Sequence, residues 1–480
     1  MGDLVGRRRR VLVLAICCTS LFIVALDNTI INVALPAIAR DLDAPLSGMQ
    51  WTIDAYTLVL ASLLMLSGST ADRIGRRRTF QTGLVIFSAG SLLCSVAPSV
   101  TWLVVFRMVQ AVGGSMLNPV AMSIITNTFT EPRERARAIG VWGGVAGLSM
   151  ALGPLIGGLL VEPVGWRAIF WINVPIGIAA IVLTAVFVPE SRAPRPRRID
   201  PGGQLLVAVL LAALTTGIIE GPNAGWGSPL IVGCFAVAAL SLIGLVLYEP
   251  RRDEPLLDLR FFRSAPFSGA AAIAVSAFAA LGGFLFLNTV YLQTARGLSP
   301  LQAGLCTLPM ALTALVTGPL SGRLVAARGT RPSLLIAGVA YTAACAMLSF
   351  VTPATPLPAL LAIYAVFGLG FGVVNTPITN TAVSGMPRAQ AGVAAGVAST
   401  SRQIGQSLGV AIAGSVVASS LTGSLGAGFT DAARAGWWIL SGCGVVILSV
   451  GLLTSGRWAR RTASRVAEIF ERDEAKAGVR

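Results

Sequence analysis

Long apolar runs dominate the chain, and polar residues collect in the short stretches between them. Fourteen runs can be read, at about 11–34, 51–70, 79–97, 101–125, 136–160, 166–188, 204–220, 229–248, 267–291, 301–322, 333–351, 357–381, 391–418 and 435–455. Most have the ~18–25 residues that a helix rising ~1.5 Å per residue needs to cross ~30 Å of hydrocarbon. The pattern predicts an all-α integral membrane protein with fourteen transmembrane helices. The longest polar stretches are 189–203, 249–266 and the tail from 457. They delimit a basic N-terminus (1–10), a six-helix bundle (11–188), a loop (189–203), two additional helices (204–248), a second loop (249–266), a second six-helix bundle (267–456) and a tail (457–480). The tail segment RWARRTASRVAEIFERDEAK reads either as an amphipathic helix on an anionic membrane surface or as a solvated tail.

The two six-helix blocks echo each other at a spacing of about 256 residues. Asn32, Ala39, Arg40, Leu42 and Gly48 align with Asn288, Ala295, Arg296, Leu298 and Gly304. Further along, GGSMLNPVAMSIITNT (113–128) echoes GFGVVNTPITNT (370–381), and GSTADR (68–73) echoes GPLSGR (318–323). Matches in the same order predict two pseudo-symmetric bundles flanking the two extra central helices, the plan of two-half transporters.

Composition excludes a water-soluble domain, since 54% of residues are hydrophobic and 12% charged. The net charge of +15 suggests nucleic acid until its placement is read. Arginines crowd alternate loops, at 7–10, 73–78, 133–137, 192–198, 251–263, 323–331, 388 and beyond 457, while the intervening loops hold Arg40, Arg167, Arg296 and Arg434. This is the positive-inside bias, which puts both termini in the cytoplasm and leaves no call for a nucleic-acid partner. The first run is too long for a signal peptide and precedes further spans. Lys476 is the only lysine, and this arginine bias with abundant alanine, glycine and valine suggests a GC-rich bacterial genome, so the expected location is a bacterial inner membrane. The seven cysteines all fall within spans without a CxxC pair, so they read as packing residues and no metal site is expected. Without a GxxxxGK[ST] segment an ATP-driven pump is excluded. The absence of histidine argues against an enzyme and a cofactor, and leaves carboxylates to carry any proton near neutral pH.

Among the acids only Asp27 and Asp54 lie well inside spans; Glu162 and Glu220 sit at outer ends. An ionisable group there costs ~2.5–3.5 kcal/mol or more, which marks it as functional. By helical rise Asp27 lies about 10 Å from the outer end of its run, Asp54 about 6 Å and Arg107 about 9 Å. The expectation is a buried cluster of two carboxylates and one guanidinium, in which burial and a second carboxylate favour protonation and the guanidinium opposes it. A fixed ion pair that only orients helices is the alternative. Asn28 and Asn32 share a helix face beside Asp27 and, with Gln110, either line a cavity or pack between helices. In the second half Arg402, in STSRQIGQS, has no carboxylate in any of the last six runs. It either meets an acid of the first half, holds an acidic group of a substrate, or bonds backbone carbonyls and Gln406.

Five segments carry a family resemblance along the whole chain: LDNTIINVALP (26–36), GSTADRIGRRR (68–78), RMVQAVGG (107–114), GPLIGG (153–158) and WRAIFWINVPIG (166–177). Together they resemble the fourteen-helix drug:proton antiporters of the major facilitator superfamily, the EmrB/QacA type. The resemblance implies export of small organic compounds, often cationic or amphipathic, in exchange for protons by alternating access, with the proton as coupling ion and a monomer as the working unit. It implies a gating loop built on Gly68, Asp72, Arg73, Gly75 and Arg76 that favours the outward-facing state. The second copy carries Gly322 in place of Asp72. It also implies an antiporter motif at Gly153, Pro154, Gly157 and Gly158, with Ser149 where the family has glycine. Glycine at position 68 is expected to allow close helix approach, and Gly153–Pro154 to allow a bend. A dedicated exporter of one metabolite or antibiotic, and a nutrient symporter, are the competing readings.

Overall fold

The computed structural model describes residues 2–193, 200–252, 255–383, 391–421 and 425–478. Helices account for nearly all of them. In chain order they are α1 (Gly2–Asp41), α2 (Leu46–Ile74), α3 (Arg76–Ser95), α4 (Val100–Thr128), α5 (Pro132–Val164), the short α6 (Ala168–Trp171) and α7 (Asn173–Phe187). Then come α8 (Pro201–Ala224), α9 (Pro229–Tyr248), α10 (Ala265–Val290), α11 (Pro300–Cys306), α12 (Leu308–Arg328), α13 (Thr330–Leu348), α14 (Leu357–Val383), α15 (Ala391–Ser420), α16 (Leu425–Thr454) and α17 (Arg457–Gly478). The loop arginines at 195, 197, 198 and 388 lie outside the described residues.

Each predicted run coincides with helix, but not all are apolar enough to count as spans. Among the described residues eleven helices are long and apolar enough to cross a membrane, or up to twelve with the bent α5 included. The shortfall falls on the runs 79–97 and 391–418. There α3 opens on Arg76–Arg78 and α15 carries Arg402, Gln403, Gln406 and a series of serines and threonines. Both are helices whose polar side chains need partners within the protein. At the opposite extreme α9 exposes Leu230, Val232, Leu240, Ile243 and Leu247, as expected where hydrocarbon replaces water as the solvent.

The chain divides into two compact units, Met1–Gln204 with Thr289–Leu308, and Leu205–Asn288 with Pro309–Arg480. In the first, Tyr56, Leu60, Phe80, Leu84, Phe87 and Leu117 form a continuous apolar core with the N-terminal half of α1. Helices α3 and α4 approach closely because glycines face the contact. A Cβ on Gly90 would stand 2.6 Å from Gln110 Cα, and one on Gly113 would stand 2.3 Å from Phe87 N. In the second unit Phe284 stacks on Phe367 with centroids 4.2 Å apart, flanked by Tyr341, Tyr364 and Trp437.

The tail forms a helix, and its apolar stripe is already occupied. Ala459, Ala463, Val466 and Phe470 recur at helical spacing and are buried. Phe470 packs on Phe261 at 5.0 Å and carries the Arg260 guanidinium over its ring at 4.7 Å. Thr462 Oγ1 accepts from the Ala265 amide at 2.9 Å. The tail therefore docks on the chain's own loop before α10 through this face.

Candidate functional site

Four helices of the first unit converge on Asp27. It lies well inside α1, which continues seven residues beyond the predicted end at 34 to Asp41. Asp27 and Arg107 are each 1% exposed and form an ion pair through Oδ2 and Nη1. Oδ1 accepts from Gln110 Nε2 at 2.9 Å and from Asn173 Nδ2 at 3.1 Å. Arg107 also donates from Nη1 to Gln110 Oε1 at 2.8 Å and from Nε to the Thr52 carbonyl at 3.2 Å. Its guanidinium lies over the Tyr56 ring, 4.1 Å from the centroid. Ser91 on α3 closes the network, accepting from Gln110 at 3.3 Å and Asn173 at 3.1 Å while donating to the Phe170 carbonyl at 3.0 Å.

Local sequence explains the convergence. Arg107 and Gln110 stand three apart on α4 and so share a face. Asn173 opens α7 immediately after the break at Ile172, where its side chain is presented next to α3 and α1. Gly90 brings α3 against the backbone of Gln110, which holds Ser91 within reach. The carboxylate thus has a cationic partner and two amide donors, all charge-assisted.

Of the expected trio, Asp27 and Arg107 form a direct ion pair. Asp54 is buried on α2. Arg107 touches the Thr52 carbonyl and the Tyr56 ring, which lie one turn apart on one face, and position 54 falls on the other face of that turn. Amides from Gln110 and Asn173 join the Asp27 carboxylate and the Arg107 guanidinium. Ser91, Tyr56 and Asn173 were not singled out by the sequence. Asn173 had a signal, as the sole amide in the apolar stretch AIFWINVPIGIAAIV.

The asparagines beside Asp27 do not join it. Asn32 Nδ2 donates back to the Asn28 and Thr29 carbonyls at 3.2 and 3.4 Å, and Asn28 is partly exposed. In α5 the segments Arg133–Met150 and Leu152–Val164 meet at 42°. Pro154 has no N–H for the carbonyl four residues back, which places the bend there. A Cβ on Gly153 would stand 1.9 Å from Thr29 Oγ1 and one on Gly158 2.6 Å from Leu301 Cα. The glycine motif thus seats α5 on α1 just past Asp27 and on α11, while Glu162 Oε2 accepts from Ser299 Oγ at 2.8 Å and Leu301 N at 3.2 Å.

In the gating loop Arg76 Nη2 bonds Asp72 Oδ1 at 2.9 Å, and the Asp72 carbonyl accepts from the Ala193 amide at 3.2 Å. Arg73 is exposed. Sequence reasoning missed Glu190, whose carboxylate accepts from the Arg77 and Arg78 amides at 3.1 and 3.3 Å and so caps α3. Gly75 has φ +124°, so the backbone requires glycine, and a Cβ there would also displace the Glu190 carboxylate, whose Oε1 would stand 2.6 Å away. Gly68 is different: a Cβ would stand 4.0 Å from Pro119, ordinary contact, and the expected close approach is absent at this position. In the second unit Arg402 bonds Thr379, and Gln406 is buried on the same helix.

Comparison with known proteins places this geometry in a wider group. The chain is 38% identical over 398 residues to the tetracenomycin C resistance and export protein of Streptomyces glaucescens, covering 82% of this chain and 74% of that one. It is 36% identical over 418 residues to the multidrug resistance protein Stp of Mycobacterium tuberculosis, covering 87% and 78%. Its fold is similar to that of a bacterial homologue of the human lysosomal transporter Spinster, with TM-score 0.66, 17% identity and coverage of 94% and 96%. Residues 17–410 match the description of the Major Facilitator Superfamily, and the chain belongs to that superfamily.

Proposed function

We propose that this membrane protein exports small organic compounds in exchange for protons, by alternating access, as a fourteen-helix member of its superfamily. One observation carries the reading. Asp27 is buried inside a membrane-spanning helix and is held by Arg107, Gln110 and Asn173 from two further helices. A proton arriving on Asp27 cancels the charge that organises those donors, so protonation and helix packing are coupled. Substrate binding that draws the carboxylate back to its ionised state releases the proton. One pH unit supplies ~1.4 kcal/mol per proton and 100 mV a further ~2.3 kcal/mol per net charge moved, enough to bias two conformations about tenfold or more.

Asp54 is assigned the attraction of cationic substrates, and the loop around Asp72 a conformational latch. The arginine bias supports an inner-membrane location with both termini in the cytoplasm, and a monomer is taken as the working unit. Breadth of substrate is a separate matter: one relative is named for multidrug resistance and another for a single compound. A resistance profile in a pump-deficient host, with and without collapse of the proton gradient, tests the reading. Export that survives full uncoupling contradicts it. Asp54→Asn is expected to reduce export of cationic compounds more than neutral ones; equal losses contradict its assignment.

A further inference from the structure

Arg402 lies within α15 and donates from Nη2 to Thr379 Oγ1 at 2.6 Å. Its Nε is shielded and meets no acceptor among the described residues. The Phe278 ring centroid stands 5.9 Å from the guanidinium carbon. A guanidinium presents five donors, keeps its charge at any physiological pH, and cannot escape burial by losing a proton. Sequence restricts its counter-charge sharply. Between Asp258 and Glu468 the chain contains a single acid, Asp431, which is 81% exposed and bonds Arg434 at 3.2 Å. The helices around Arg402 therefore offer a hydroxyl and an aromatic face, and no carboxylate of their own.

An uncompensated charge in such surroundings costs several kcal/mol. A side chain kept only for packing would not need that charge, since methionine or leucine fills similar space without it. The group is not sealed: Arg402 is only partly buried, so the outer end of the fork, beyond the shielded Nε, can be reached by a ligand. The planar fork suits two parallel bonds to a carboxylate, the geometry in which arginine exceeds lysine. Thr379 fixes Nη2 and so orients the outer end of the fork toward an incoming oxygen.

We infer that Arg402 is a subsite for an anionic oxygen group of the exported compound, a carboxylate, enolate or ionised phenol, separate from the Asp27 network. The inference rests on the export reading proposed above and extends it to compounds that carry an acidic group. The test uses the full-length chain in liposomes under an imposed proton gradient, with two xanthene dyes of one ring system, anionic fluorescein and cationic rhodamine 6G. Arg402→Gln is expected to lower the ratio of fluorescein to rhodamine 6G transport about tenfold, the scale of one charge-assisted bond. Arg402→Lys, which keeps the charge without the fork, is expected to recover part of that ratio. An unchanged ratio in Arg402→Gln, or equal loss of both dyes in both variants, overturns the subsite. A wild-type protein that moves rhodamine 6G but not fluorescein overturns it while leaving the export reading standing. One that moves neither dye overturns the subsite, and if it also confers no resistance in the pump-deficient host it overturns the export reading itself.

Discussion

Replacing Asn173 with alanine removes one donor from Asp27 and leaves the rest of the network in place. The Nδ2 bonds to Asp27 Oδ1 and Ser91 Oγ, both 3.1 Å, are lost. Oδ1 keeps Gln110, and Ser91 keeps Gln110 and the Phe170 carbonyl, so no buried atom is wholly stripped of partners. The bond to the charged carboxylate is worth ~1.5–3 kcal/mol, and the neutral bond to Ser91, of a kind that Gln110→Ala also loses, adds a similar smaller increment to both variants. Gln110→Ala removes a bond to each member of the ion pair, to Asp27 at 2.9 Å and from Arg107 at 2.8 Å. Its cost on the same scale is about twice as large, ~3–6 kcal/mol. Purified variants are compared for heat-induced unfolding in detergent and for proton-driven export from vesicles. Both variants are expected to unfold earlier and transport more slowly, with Gln110→Ala the more affected in each assay. An Asn173→Ala protein indistinguishable from wild type, or one more damaged than Gln110→Ala, refutes this account of how Asp27 is held.

The Tyr56 hydroxyl meets no partner among the described residues while its ring lies under Arg107. Tyr56→Phe is therefore expected to transport like wild type and Tyr56→Leu to lose a cation–π contact worth ~0.5–2 kcal/mol, read as a slower export rate. Gly75→Ala is expected to abolish export or insertion, and adding Glu190→Ala should not restore it, because removing the clash leaves the positive φ; membrane yield and export of the double variant check this. Phe470→Ala is expected to free the tail helix from Phe261 and Arg260, which limited trypsin digestion would register as faster cleavage after Arg460 or Arg461.

Much of the fold was legible because hydropathy is a property of single helices: every apolar run became helix. The count of crossings was harder, because α3 and α15 carry polar side chains whose acceptability depends on what packs against them. The ion pair was legible in outline, since two buried charges of opposite sign in one half have few other partners. Its amide donors were not. Gln110 entered only as a lining residue, and Ser91 and Asn173 become ligands through the approach of α3, α4 and α7, which rests on Gly90 and Gly113. The tail helix spends its apolar stripe on Phe261, a tertiary contact that amphipathicity alone does not reveal.

Proton release on substrate binding tests the central claim most directly. Purified protein in weakly buffered detergent solution, near neutral pH, is mixed with rhodamine 6G while a pH-sensitive indicator outside the dye's spectral range is followed. If Asp27 is the exchanged site, wild type releases protons in a saturable manner and Asp27→Asn, which keeps the shape but holds no exchangeable carboxylate proton, binds the dye and releases none. Saturable proton release of wild-type size from Asp27→Asn would contradict the account.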